Sequence, residues 1–243
     1  MKSRMAEVGT TKNEGGVIMG TNYYAQNLNS GKLYQVYQTQ IDRIKQYLDA
    51  EINFVRQELK GSERVLELGA GYGRIMKELA PYAGSIVGID ISEDSIPFGQ
   101  AYLKDSPNCE LKMADAHKFE FTPEFNVILC LQNALSAMKV EALPFVQHTM
   151  NGLLPGGKAY FSSYSPKFWE HRLAWFQEQA DKGLLGQIDL EKTKGGLIVC
   201  KDGFIATTYT QADMEKLGQA VGYRYQIEEV DDSSIFLIVE KDK

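Results

Sequence analysis

Val65-Leu66-Glu67-Leu68-Gly69-Ala70-Gly71-Tyr72-Gly73-Arg74 is followed by Ile86-Val87-Gly88-Ile89-Asp90, and these two stretches decide the fold. An apolar run ends in a glycine-dense turn. A helical segment follows, then a second apolar run that stops at an acid. Gly69 and Asp90 are 21 residues apart, the spacing at which a ribose-binding carboxylate closes the second strand of a βαβ unit. Glycines permit the tight turn and let backbone approach a ligand. The Asp90 carboxylate can accept from both hydroxyls of a ribose. The pair therefore points to an adenosine-containing cofactor. A ligand-free strand-helix turn is the plainer alternative.

The glycine spacing narrows the cofactor. A dinucleotide fingerprint reads G-x-G-x-x-G/A, but Arg74 stands at its last position. A bulky Arg there crowds the close approach that a pyrophosphate needs at a helix N-terminus.

Outward from this unit, strands and helices alternate. Strands are expected at Val65–Leu68, Ile86–Ile89, Cys109–Met113, Asn126–Leu131 and Lys158–Ser163. The fourth is nearly all apolar, as in a central parallel strand covered on both faces. Helices are expected over Arg74–Leu79, from Ser92 to about Leu103, over about Val140–Leu153, and over Thr210–Gly222 with Thr210 as N-cap. Ahead of them, Leu33, Tyr37, Ile41, Ile44, Leu48, Ile52, Val55 and Leu59 recur at helical steps, predicting a long amphipathic helix broken at most once. At the far end, Tyr223–Val230 and Ile235–Val239 are expected to form a closing hairpin. This predicts a doubly wound α/β sheet of seven strands with one antiparallel strand.

Residues 165–208 break the alternation. Trp169, Arg172, Leu173, Trp175 and Phe176 suggest a short helix. Gly186–Leu190, Leu197–Cys200 and Phe204–Thr208 suggest short antiparallel strands. The insertion leaves the fifth strand at the carboxyl edge, where doubly wound sheets bind ligands. It is expected to be a lid over the site.

The run E-L-G-A-G-Y-G resembles the first motif of class I S-adenosylmethionine (SAM) methyltransferases. Ala114-Asp115-Ala116 resembles the family's adenine-holding segment. Cys130-Leu131-Gln132-Asn133 lies where that family's cofactor meets its substrate, and Leu153-Leu154-Pro155-Gly156-Gly157 resembles its L-x-P-G-G turn. The likeness runs from about residue 33 to 240, more loosely through the insertion. It implies a Rossmann-like methyltransferase sheet with an antiparallel β/α lid, and transfer of the sulfonium methyl of SAM to an N or O atom of a small molecule. The cofactor residues it implies are Glu67, Gly69, Ala70, Gly71, Gly73, Asp90, Ile91, Asp115, Ala116, Leu131 and Gln132. The substrate side would be Asn133, Tyr164, Trp169 and Arg172. Effective alignment suffices for much of the rate, so no catalytic base stands out; His171 and Tyr24 are the candidates. His117 and His148 read as surface and structural residues, and Trp169 and Trp175 equally as lid packing.

Composition agrees with a small-molecule enzyme. The chain has 243 residues and a net charge of −6, against a broad nucleic-acid-binding surface. The Asn/Asp-Pro-Pro-aromatic run of base-amine methyltransferases is replaced by Gln132-Asn133-Ala134-Leu135. No apolar run is long enough for a membrane span, and no signal-peptide core opens the chain. Cys109, Cys130 and Cys200 are widely spaced, which suggests no metal site and a reducing, cytoplasmic setting. Residues 1–32 read as a mobile N-terminal segment and 33–243 as one domain. The rival readings are an NAD(P)-dependent oxidoreductase, a non-catalytic SAM-binding regulatory protein, and a methyltransferase acting on a macromolecule. Oligomeric state is not legible.

Overall fold

The computed structural model describes residues 23, 27, 28 and 30–243. Its strands are β1 (Arg64–Leu68), β2 (Ser85–Asp90), β3 (Cys109–Met113), β4 (Phe125–Cys130), β5 (Leu153–Tyr164), β6 (Ile198–Val199), β7 (Ile205–Ala206), β8 (Arg224–Val230) and β9 (Ser234–Glu240). Its helices are α1 (Ser30–Tyr37), α2 (Asp42–Arg56), α3 (Arg74–Leu79), α4 (Ser95–Tyr102), α5 (Ala134–Ala137), α6 (Ala142–Thr149), α7 (Trp169–Asp181) and α8 (Gln211–Val221).

Seven strands form one sheet in the order β3-β2-β1-β4-β5-β9-β8, and β6 and β7 form a separate pair. β1 pairs in parallel with β2 on one side and β4 on the other. Chain progression reverses there, so the switch point lies at the carboxyl ends of β1 and β4. β9 runs antiparallel to both β5 and β8. This is the expected seven-stranded Rossmann-like methyltransferase sheet with one antiparallel strand.

Each face of the sheet is covered by helices, which explains why β4 is apolar along nearly its whole length. On one face, Phe145 and Val146 of α6 and Met214, Leu217 and Val221 of α8 pack against Leu66, Ile128 and Phe161. On the other, Ile52 and Val55 of α2 and Ile75, Met76 and Leu79 of α3 pack against Val65, Ile86 and Leu129. A third core joins α1, the start of α2, α7 and the insertion through Leu28, Val36, Tyr47, Trp175 and Phe204.

Local chemistry sets the boundaries. The amphipathic helix expected from residue 33 to 59 is broken between α1 and α2. Buried Thr39 donates its hydroxyl to Glu178 and accepts from Ile41 N–H, while Gln40 N–H also goes to Glu178. These side chains capture groups that a continuous helix would use. Thr210 caps α8 in a reciprocal capping box with Asp213. Ser92 Oγ accepts from Ser95 N–H ahead of α4.

Three expectations shift. The helix expected over about Val140–Leu153 is shorter, and a 3₁₀ turn from Met150 to Gly152 closes it. Pro155-Gly156-Gly157 lies inside β5, not before it, at a bulge where pairing jumps from Phe125–Leu153 to Val127–Lys158. A Cβ on Gly157 would stand 2.9 Å from Asn126 O, so this close approach of two backbones requires glycine. The insertion holds a 13-residue helix, α7, and its sheet shrinks to the two-residue strands β6 and β7 plus a bridge between Ile188 and Cys200.

Candidate active site

The glycine turn is held from below by the next strand. Gly69 and Ala70 donate their N–H groups to Ile89 O at 2.9 and 3.0 Å. Gly71 N–H reaches Asp90 Oδ2 at 2.8 Å, and Ser92 N–H reaches Asp90 Oδ1 at 2.8 Å. Asp90 thus ties together the turns that follow β1 and β2. Each carboxylate oxygen keeps a further lone pair available to a hydroxyl. Burial pushes the Asp90 carboxyl up, against the two N–H groups that lower it.

Gly71 has φ +56°, and a Cβ there would lie 2.8 Å from Leu33 Cδ2 of α1. The turn is therefore pressed from above by the N-terminal helix. Above it opens a cleft whose empty space, counted out to its mouth, is about 1330 Å³.

The strand order arranges the cleft's polar groups in a row. Asp115 follows β3, Asp90 ends β2, Glu67 lies in β1, Gln132 follows β4 and Tyr164 ends β5, and all five line the cleft. Gly69, Ala70, Gly71, Ile91, Ala116 and Leu131 line it as well. Ile91 is 45% exposed, an aliphatic side chain open to the cleft beside Asp90.

Two buried polar atoms of the cleft lining lack partners. Glu67 Oε2 and Arg74 Nη2 are buried without a hydrogen bond. Desolvation raises the Glu67 pKa to about 8, against the attraction of Arg74. The Arg74 guanidinium lies 4.6 Å from the centre of the Tyr37 ring. Buried polar atoms normally find partners, so an orphaned carboxyl and an orphaned guanidinium facing one cleft suit a ligand that brings an ammonium and a carboxylate.

Beyond Gln132 the backbone is strained. Gln132 and Asn133 have φ of 54° and 62°, a conformation that costs on the order of 1–3 kcal/mol for a non-glycine residue. Glu51, wholly buried in α2, braces it. Its Oε2 accepts Gln132 N–H at 3.0 Å, and its Oε1 accepts from Ser234 Oγ at 2.6 Å. Desolvation lifts the Glu51 pKa to about 7 despite these bonds.

The roof is built from α1 and α7. Leu28, Leu33, Val36 and Tyr37 reach the cleft from the N-terminal side, and Trp175, Phe176 and Gln179 from the insertion. The two helices are joined by Trp175 Nε1–H donating to Val36 O at 3.2 Å and by Thr39 donating to Glu178 at 2.6 Å. Tyr23 Oη–H donates to Asp202 at 2.6 Å, linking the chain before α1 to the insertion.

Gly73, Asn133, Arg172, Trp169 and His171 fall outside the lining. Gly73 caps α3 with φ +84°. Asn133 is buried in a structural network, donating to Thr207 O and accepting from Ser163 Oγ. Arg172 is buried beneath the roof, where Nη1–H donates to Gly196 O at 2.7 Å and the guanidinium stacks 4.6 Å from the Tyr164 ring centre. Trp169 is half-buried beside it. His171 is exposed, with its ring 5.5 Å from Phe168. Tyr24 lies outside the described residues. His117 lines the cleft mouth, and His148 bonds Phe119 O. Among the described residues no His/Cys/Asp/Glu cluster could hold a metal.

Sequence reasoning missed Glu51, Tyr37 as a cleft residue, and Gln179. Glu51 had a signal: a carboxylate within the apolar stripe of Ile44, Leu48 and Val55. Gln179 had none, since a glutamine in a helix looks like solvent-facing surface.

Comparison with known proteins agrees with this geometry. Residues 65–157 match the family model described as a methyltransferase domain. A ubiquinone biosynthesis O-methyltransferase from Hydrogenovibrio crunogenus is 24% identical over 60% of this chain, and the chain spans little more than half of it, 57%. The DhpI–SAH complex superposes with a TM-score of 0.62 at 15% identity, covering 90% of this chain and 94% of that one. The [4+2]-cyclase SpnF superposes with a TM-score of 0.58 at 14% identity, covering 80% of each chain.

Proposed function

We propose that this chain, whose residues 65–157 form a methyltransferase domain, transfers a methyl group from SAM to an N or O atom of a small-molecule acceptor. The observation that carries the reading is the pair of orphaned polar groups, the Glu67 carboxyl and the Arg74 guanidinium, beside the glycine turn. SAM ends in an amino acid, whose ammonium suits Glu67 Oε2 and whose carboxylate suits Arg74 Nη2. The acid at the end of β2 suits its ribose diol, and Asp115, Ala116 and exposed Ile91 suit its adenine. When bound, SAM supplies a methyl group already activated by a sulfonium.

The chain's own part is alignment and exclusion of water. The glycine turn and Asp90 hold one end of the cleft rigid, and the Glu51 brace holds the backbone after β4. Positioning of reactants can supply roughly 7–11 kcal/mol of the barrier. Residues 165–208, with α1, act as the lid. Trp175 and Phe176 are 4% and 5% exposed and line the cleft, so its far end is walled by packed aromatic side chains. Such a narrow, aromatic lining favours a small acceptor over a macromolecule, and the net charge of −6 supports this. The name of the Hydrogenovibrio relative, a small-molecule O-methyltransferase, points the same way. No described helix is long and apolar enough to cross a membrane.

A cyclase shares this fold, so the test must read the transfer itself. The protein is incubated with SAM and a panel of amines, phenols and carboxylates, and S-adenosylhomocysteine is measured. Acceptor-dependent product that disappears in Asp90→Ala is expected. SAM binding without product from any acceptor supports a regulatory binding protein, and a change in nicotinamide fluorescence on mixing supports an oxidoreductase.

A further inference from the structure

The charged residues in the row all lie at the β3, β2 and β1 end of the cleft. Past β1 its chemistry changes. The part under α7, at the ends of β4 and β5, is lined by Gln132, Met138, Tyr164, Trp175, Phe176 and Gln179. None of these six carries a charge. The Arg172 guanidinium lies behind this wall, stacked on the Tyr164 ring and bonded to Gly196 O.

Two primary amides in this chamber keep hydrogen-bonding capacity that no protein group among the described residues takes up. Gln132 Nε2 is buried and makes no hydrogen bond. Gln179 is 3% exposed, lines the cleft, and makes no side-chain hydrogen bond among the described residues. One amide belongs to the residue pair that follows β4, and the other to α7, which roofs the cleft. Their neighbours are three aromatic rings and a methionine, side chains that prefer flat apolar partners. A buried amide without a partner costs free energy, and each amide can both donate and accept.

We infer that this chamber is a binding subsite for an uncharged, planar ring that bears a hydrogen-bonding group such as a phenolic hydroxyl, held between the Gln132 and Gln179 amides. A carboxylate or an ammonium on the ring would be desolvated among these six uncharged side chains, while Arg172 behind Tyr164 and Glu51 behind Gln132 are already engaged by Gly196 O, Gln132 N–H and Ser234. This assignment deepens the methyl-transfer reading by naming the acceptor class. Binding at the chamber is nevertheless measurable without any transfer.

The test uses phenol, benzoate and benzylammonium as probes, with binding followed by quenching of tryptophan fluorescence and by calorimetry, with and without S-adenosylhomocysteine. Phenol should bind more tightly than either ion. Gln179→Leu should weaken phenol about tenfold, the size of one neutral hydrogen bond, and leave SAM affinity unchanged. The same variant should melt no lower than the wild-type chain, because the Gln179 side chain makes no hydrogen bond among the described residues that leucine would lose. A merely structural glutamine would show the opposite, a lower melting temperature with unchanged phenol affinity. Gln132→Met provides a second variant with the same expectation for phenol. Equal phenol affinity in wild type and both variants overturns the inference, as does tighter binding of benzoate or benzylammonium. Phenol binding with no S-adenosylhomocysteine from any acceptor leaves the subsite standing and removes the methyl-transfer reading. SAM turnover on charged acceptors alone does the reverse.

Discussion

Replacing Glu67 by Gln tests the orphaned-carboxyl reading through stability and pH. Glu67 is 4% exposed, and its pKa lies at about 8 in the folded chain against 4.5 for the free side chain. Between those values the folded protein holds a proton that the unfolded chain has released. Stability therefore falls as pH rises through that window. The full shift of roughly 3.5 units corresponds to about 5 kcal/mol at 1.36 kcal/mol per unit. Of this, about 4 kcal/mol is lost between pH 5 and pH 9. Glutamine stays neutral throughout, so Glu67→Gln should match the wild type near pH 5 and exceed it by several kcal/mol at pH 9. Urea denaturation of the ligand-free protein at half-unit pH steps measures both curves. Glu51, raised to about 7, adds a similar decline to both proteins, so the difference between them isolates Glu67. A cofactor ammonium beside Glu67 should favour the carboxylate. Binding of SAM near pH 7 should then release close to one proton in the wild type and none in the variant, seen by calorimetry in buffers of different ionisation heat. Parallel stability curves for the two proteins would refute the claim that Glu67 is a desolvated, unpaired acid.

Other perturbations follow from the same geometry. Asp90→Ala removes the acceptor of Gly71 and Ser92 N–H; it should cost about 1.5–3 kcal/mol for each bond to a charged group and abolish measurable SAM binding, and calorimetry showing equal affinity contradicts the ribose assignment. Gly71→Val meets both the φ of +56° and Leu33; a folded variant that binds SAM normally disproves the pressed turn, and adding Leu33→Ala should recover only the part due to contact. Arg172→Ala empties a 1% exposed site under the roof and should lower stability by about 2–4 kcal/mol. It should weaken acceptor binding through Tyr164 and leave SAM affinity nearly intact; loss of SAM affinity with unchanged acceptor kinetics places the lid at the cofactor end instead.

What the sequence by itself determined is what short-range chemistry writes into neighbouring residues. The glycine turn, the acid 21 residues on, the apolar central strands and the Thr210 cap all depend on residues close in sequence or on one periodic face. They yielded the sheet, its antiparallel strand and the residues that line the cleft from Glu67 to Gln132. Only the tertiary structure decided the far end of the site. Glu51 reaches Gln132 across 81 residues and Ser234 across 183, and no local pattern encodes such a bond. Asn133 and Arg172 looked like substrate contacts because polar residues near a strand end and in a lid commonly are, yet distant carbonyls at Thr207 and Gly196 take their N–H groups. Gln179 shows the converse: it reads as helix surface, yet the packing of α7 over the sheet buries it in the cleft lining. Which polar groups remain free for a ligand depends on every partner the rest of the chain brings to them, and that is settled when the elements pack.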